Sequence, residues 1–149
     1  MKLSTVTTAA AILAVGCVGL AGPARADGDF SGTYQLAMGE NTSTWTVTPC
    51  EGDPFIPCVH IAETGGANAP FQGDAYLTVG SWSMRVDRSD AITCEDNSKV
   101  PALVTYSWDA VKLVGYISIF NPGFCGTNAG TLYAPIQLTK VPGPLNAEA

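Results

Sequence analysis

The chain has 149 residues, 46% hydrophobic and 13% charged, with a formal net charge of −6 at pH 7. That length suits one domain, and the apolar content is enough to build a core. The acidic balance argues against nucleic acid and anionic membrane surfaces as partners, because both repel a negatively charged protein.

At the N-terminus, Lys2 precedes an apolar run from Ala9 to Leu20, followed by Gly22-Pro23 and Ala24-Arg25-Ala26. Charged, apolar and small-residue segments in that order read as a signal peptide over residues 1–26, cut after Ala26. The apolar run is too short and too rich in Ala and Gly for a membrane span, so none is expected after cleavage. The alternative is a lipoprotein attached through Cys17. Ala14-Val15-Gly16-Cys17 makes a poor lipobox, however, with Ala where Leu is usual. Cleavage removes Lys2, Arg25 and Cys17, leaving a more acidic chain with Cys50, Cys58, Cys94 and Cys125. An odd cysteine count that becomes even at the cut fits a secreted protein with a two-disulfide framework.

The first signals after the cut are strands. Tyr34, Leu36 and Met38 alternate with Thr33, Gln35 and Ala37, and Trp45 and Val47 alternate with Thr44, Thr46 and Thr48. Period-two alternation of aromatic and β-branched residues marks half-buried strands. Gly39-Glu40-Asn41 joins them as a hairpin, and Pro49 ends the second because it has no N–H for a ladder. Trp45 and Trp82 fall on apolar faces and are expected to be buried, with Thr46 on the opposite face.

Cys50 and Cys58 bracket a segment with Pro54 and Pro57 that is no regular element. Further strands are expected at 59–63, 75–79, 82–87, 103–109, 113–120 and 132–141. Leu77, Val79, Trp82, Met84 and Val86 form one apolar set, with a turn at Gly80-Ser81. Residues 88–100 are polar and acidic, hold Cys94 and have no clear period. Residues 121–130 are a Gly/Asn-rich loop carrying Cys125. No stretch shows a helical period.

About eight short strands with mostly short connections indicate a small antiparallel up-and-down β-barrel with two disulfides. A β-sandwich is the alternative. Residues 27–141 form the single secreted β domain, and 142–149 a flexible C-terminal tail. Four cysteines permit three pairings. Cys50–Cys58 with Cys94–Cys125 is preferred, because in a meander an even number of intervening strands returns the chain to the same barrel end. Cys50 and Cys94 are separated by three strands and belong at opposite ends.

The order of signals resembles a family of small secreted mycobacterial and related actinobacterial proteins. It is similar also to the extracytoplasmic region of some mycobacterial serine/threonine protein kinases. The likeness runs through GTY, TW, the Cys50–Cys58 loop and the tryptophan strand. It is most specific from Cys125-Gly126 through Tyr133-Ala134-Pro135-Ile136 to Thr139-Lys140. Pro57 stands before Cys58 where that family usually has Gly, the Cys50–Cys58 loop looks longer, and no kinase domain is present. The resemblance implies two disulfides and an exported location, and it brings no catalytic residues and no ligand.

His60 is the one histidine. A nucleophilic triad would need it to face a pocket, whereas strand parity sends it outward if Val59 and Ile61 point inward. The four cysteines would suit disulfides better than zinc, given their spacing and compartment. Asp87, Asp90, Glu95 and Asp96 crowd one segment but fit no calcium loop, and Arg88 among them opposes a cation. They read as a solvated acidic loop, and nothing pairs them with a sugar-stacking groove as a glycosidase would require. Asn41-Thr42-Ser43 matches a glycosylation sequon but reads as the hairpin turn.

Tyr34, Trp45, Trp82, Tyr106, Trp108, Tyr116 and Phe120 have two readings. The plainer is that they fill the core; the other is that they line a cavity for an apolar ligand. No residue set makes a convincing active site, and no cofactor or metal is expected. The expected role is an exported, non-catalytic domain that binds a small or lipidic ligand, or a partner protein, at the cell envelope. The alternative is a structural or interaction module without a small-molecule ligand.

Overall fold

A computed structural model describes residues 30–143. Eight strands follow one another along the chain: β1 (Gly32–Met38), β2 (Asn41–Pro49), β3 (Cys58–Thr64), β4 (Gln72–Thr78), β5 (Ser81–Thr93), β6 (Lys99–Asp109), β7 (Val114–Asn121) and β8 (Gly130–Lys140). Each pairs antiparallel with the next, and β8 returns to β1 through Leu36↔Leu138, closing an up-and-down barrel. Closure leaves no sheet edge to template unwanted pairing. Residues 1–26, with Cys17, lie outside the described residues, as does most of the expected tail.

Alternation sets which side chains enter. Inward rows run Tyr34-Leu36 on β1, Ser43-Trp45-Val47 on β2, Val59-Ile61-Glu63 on β3, Trp82-Met84-Val86-Arg88 on β5 and Val104-Tyr106-Trp108 on β6. An eight-stranded barrel has an interior that side chains can just fill. Here Trp45, Tyr106 and Trp108 occupy its centre, with Trp45 edge-on to both others at ring distances of 5.6 and 5.3 Å. Phe30 plugs one end, packing on Tyr34, Trp82 and Trp108. The expectation that Trp45 and Trp82 are buried holds.

Gly115 is where β7 presses closest on its neighbour. A Cβ there would run into the Ser107 carbonyl oxygen and lie 2.6 Å from the Trp108 Cα. Only glycine lets these two backbones meet.

Three expectations are corrected. Residues 88–100 are not an irregular acidic loop: β5 runs on to Thr93 and β6 begins at Lys99. A register shift between Arg88 and Ile92 breaks the alternation there, which hid the strand from a period-two reading. Val79 is not a core residue. It and Gly80 both have positive φ, 48° and 77°, and form the two-residue turn that the strand twist favours, so Val79 is fully exposed. Leu113 likewise turns at φ 57° before β7 begins, in a connection where Asp109 Oδ1 accepts N–H bonds from Val111 and Lys112.

Cys50–Cys58 and Cys94–Cys125 are the two disulfides, as expected. The first lies at the end carrying the β2–β3, β4–β5 and β6–β7 connections. The second ties the β5–β6 turn to the β7–β8 loop at the opposite end.

Candidate functional site

The barrel is filled at the Phe30 end and polar at the other. Three of the inward rows finish at that second end with a polar residue, Ser43, Glu63 and Arg88, and the Tyr106 hydroxyl reaches the same group from within the β6 row. All four residues are buried. Glu63 Oε2 accepts hydrogen bonds from Ser43 Oγ at 2.9 Å and Trp45 Nε1 at 3.0 Å, and its Oε1 lies 3.6 Å from Arg88 Nη1. Arg88 donates from Nη1 to the Tyr106 hydroxyl at 3.0 Å, from Nη2 to the Ala69 carbonyl at 2.8 Å, and from Nε to Asp90 Oδ1 at 3.4 Å. Its guanidinium also lies 4.9 Å over the Phe71 ring.

The network survives burial because each charge is paired and hydrogen-bonded. Burial opposes the charge on Arg88, but Tyr106, Asp90 and Glu63 outweigh it and raise its pKa further. Burial also works against Asp90, which the Ala69 N–H and Arg88 nevertheless hold below the usual carboxylate range. Burial pushes the Tyr106 phenol up to about 12, with Arg88 pulling the other way. The hydroxyl therefore keeps its proton at ordinary pH.

The β3–β4 connection lies across this end as a strap. Ala69 is held from both sides, its carbonyl by Arg88 and its N–H by Asp90 Oδ2 at 2.9 Å. Phe71, at the foot of the strap, packs on Trp45 and Tyr106. On one side of the strap is a cavity of about 50 Å³ over Ser43 and Glu63. On the other is one of about 140 Å³, with walls of Met38, Ala91, Val104, Ile117, Ile119, Leu132 and Ala134, bordered by Arg88, Asp90, Tyr106, Asn68 and the largely exposed Tyr133. The two share Met38, Asn68, Arg88, Tyr106 and Ile117 and form one mouth.

Of the aromatics named from sequence, Tyr34, Trp45, Trp82 and Trp108 fill the core and Tyr106 alone borders the mouth. Tyr116 and Phe120 do not line the interior: they alternate with inward Ile117 and Ile119, are 48% and 60% exposed, and face out. Tyr116 meets Tyr133 edge-on at 5.9 Å on that outer surface.

His60 projects from the outer face of β3 and does not line the mouth. Its Nδ1 lies 2.7 Å from Asp74 Oδ1 and its Nε2 3.2 Å from Gln72 Oε1, so both ring nitrogens face acceptors and suit the protonated ring. The named acids are dispersed: Asp90 pairs with Arg88, Asp96 caps the 94–98 turn by accepting from Ser98, and Asp87 faces outward on β5. Cys50, Cys58 and Asp74 lie close together, but the two sulfurs are bonded to each other and offer no thiolate. Asn41-Thr42-Ser43 opens β2 rather than forming the turn, and Ser43 is buried.

Glu63 and Arg88 were missed as site residues. The available signal was parity: each is the next inward position after an apolar row, Val59-Ile61 and Trp82-Met84-Val86.

In comparisons with known proteins, no family model, no curated protein and no solved structure matches the chain. Two disulfides are typical of an oxidising, extracytoplasmic compartment. Among the described residues no helix is long and apolar enough to cross a membrane, which says nothing of strands.

Proposed function

We propose that the chain is an exported, non-catalytic binding domain that takes a small ligand at the strapped mouth of its barrel. Its resemblance to small secreted actinobacterial proteins supports export, together with the signal-like first 26 residues. The observation that carries the binding reading is the buried Glu63–Arg88–Tyr106 network beneath a wall of apolar side chains. A few convergent polar groups in an apolar concavity are the usual composition of a ligand site. Buried Phe30, Tyr34, Trp45, Trp82 and Trp108 occupy the rest of the interior, which favours a compact ligand at the mouth over a long lipid chain along the barrel axis. His60 stands on the outer face with both nitrogens engaged, which gives no support to nucleophilic catalysis.

The test is native mass spectrometry of the exported protein. A co-purifying small mass that is lost when Ala134, in the mouth wall, is enlarged to Leu is the expected result; a bound mass indifferent to that change would place the ligand elsewhere.

A second reading rests on the outer face of β6 to β8, where Leu103, Tyr116, Phe120 and Tyr133 are exposed. An exposed aromatic band of this kind suits a protein partner at the cell envelope. Under this reading the chain is an interaction module, and Tyr116→Ser with Phe120→Ser would abolish partner capture while leaving the mouth intact.

A further inference from the structure

We infer that the mouth selects a benzene-sized ligand whose polar end is an uncharged oxygen acceptor. This rests on the binding reading above and narrows it to a chemical class: small alcohols, ketones, esters or amides on a compact apolar body.

Size comes first. The larger cavity holds about 140 Å³. An apolar protein cavity of about 150 Å³ accommodates benzene. The opposing walls, Met38 from β1, Val104 from β6, Ile117 and Ile119 from β7, and Leu132 and Ala134 from β8, offer dispersion contacts and nothing polar.

Charge comes second. Arg88 is already faced by two carboxylates, Glu63 at 3.6 Å and Asp90 at 3.4 Å. The border of the mouth therefore carries one negative charge in excess. An anionic ligand would bring a third carboxylate to a single guanidinium. A cationic one would have to lie against Arg88 itself. Both would also surrender their hydration on entry, which a neutral group does at far lower cost.

Polarity of the hydrogen bond comes third. Arg88 donates to the Tyr106 oxygen, so the phenol proton must point elsewhere, and among the described residues it meets no acceptor. Arg88 Nη2 spends one N–H on Ala69, and its second has no acceptor among the described residues. Two donors thus border an apolar cavity, and an acceptor oxygen placed between them satisfies both.

Four probes sharing one ring separate the possibilities: benzyl alcohol, acetophenone, benzoate and benzylammonium, titrated by ligand-observed NMR against the chain with both disulfides intact. Benzyl alcohol and acetophenone are expected to bind about tenfold or more tighter than either ion. Tyr106→Phe, which keeps the ring and removes the donor, should weaken them about fivefold. Ala134→Leu, which fills the cavity from β8 without touching the polar network, should abolish binding of all four. Tighter binding of benzoate or benzylammonium would overturn the selectivity and leave the binding reading standing. Binding unaffected by Ala134→Leu would overturn the assignment to this mouth. No binding by any probe would overturn both.

Discussion

Glu63 and Arg88 sit at the ends of two inward-facing rows on strands that are not neighbours, and they meet 3.6 Å apart inside the barrel. Both side chains are more than nine-tenths buried. Removing one partner leaves the other charged and unpaired, whereas removing both does not. Arg88→Met is therefore expected to cost about 3–5 kcal/mol. Adding Glu63→Gln, which keeps an acceptor for Ser43 and Trp45, should restore much of that loss. Urea unfolding of the two single variants and the double variant measures the coupling; additive losses would mean that the pair does not interact.

Trp45 and Trp82 are both buried, but only Trp45 has its indole N–H bonded, to Glu63. Trp82 Nε1 is buried with no acceptor among the described residues. Trp45→Phe should thus cost more than Trp82→Phe by about 1.5–3 kcal/mol, the worth of a bond to a charged group. Thr46→Ala, on the exposed face of β2, should cost about 0.5 kcal/mol or less. Thermal or urea denaturation of the three variants ranks them, and equal losses at Thr46 and Trp45 would contradict the strand register.

Gly115 packs against backbone rather than a flexible side chain, so a clash there has nowhere to go. Gly115→Ala is expected to destabilise by about 3 kcal/mol or more and to lower the yield of folded protein. Gly130→Ala, where a Cβ meets nothing within 4 Å, is the matched control and should be close to neutral. The pair can be read from the denaturant midpoint alone.

His60 should titrate above its ordinary value. The Asp74 hydrogen bond raises its pKa; slight burial pulls the other way, and Gln72 and the Asp74 charge add to the rise. A raised folded-state pKa stabilises the fold fully below the unfolded value of 6.5, and this is lost as pH climbs through the folded value. The pair is well exposed, so solvent screening limits the effect to no more than about 0.5 kcal/mol. An NMR titration of the imidazole checks the direction, and Asp74→Asn should bring the pKa back down.

Much of the barrel was legible because its signals are local. Alternation in Tyr34-Leu36, Trp45-Val47 and Trp82-Met84-Val86 follows from the pleat alone, and the turn residues mark where strands reverse. Residue parity placed His60 outside, and the count of intervening strands put Cys50 and Cys94 at opposite ends, which favoured the disulfide pairing that the structure has. What failed were places where local rules compete. The register shift after Arg88 disguised the second half of β5 as a loop, and the φ > 0 demand of a tight turn took Val79 out of an apolar row.

The mouth is a different matter. By itself the sequence determined a run of alternating strands and a largely aromatic interior, since burial of one face per strand is a property of each segment. It gave Glu63 and Arg88 no visible relation, because their contact spans separate strands and exists only once the sheet has curved shut. Nor did it separate Tyr106, which borders the cavity, from Trp108, two residues on in the same inward row and wholly in the core. Height along the barrel axis decides that difference. Height depends on how the strands stagger as the barrel closes, a quantity carried by the assembled sheet and by no single stretch of chain.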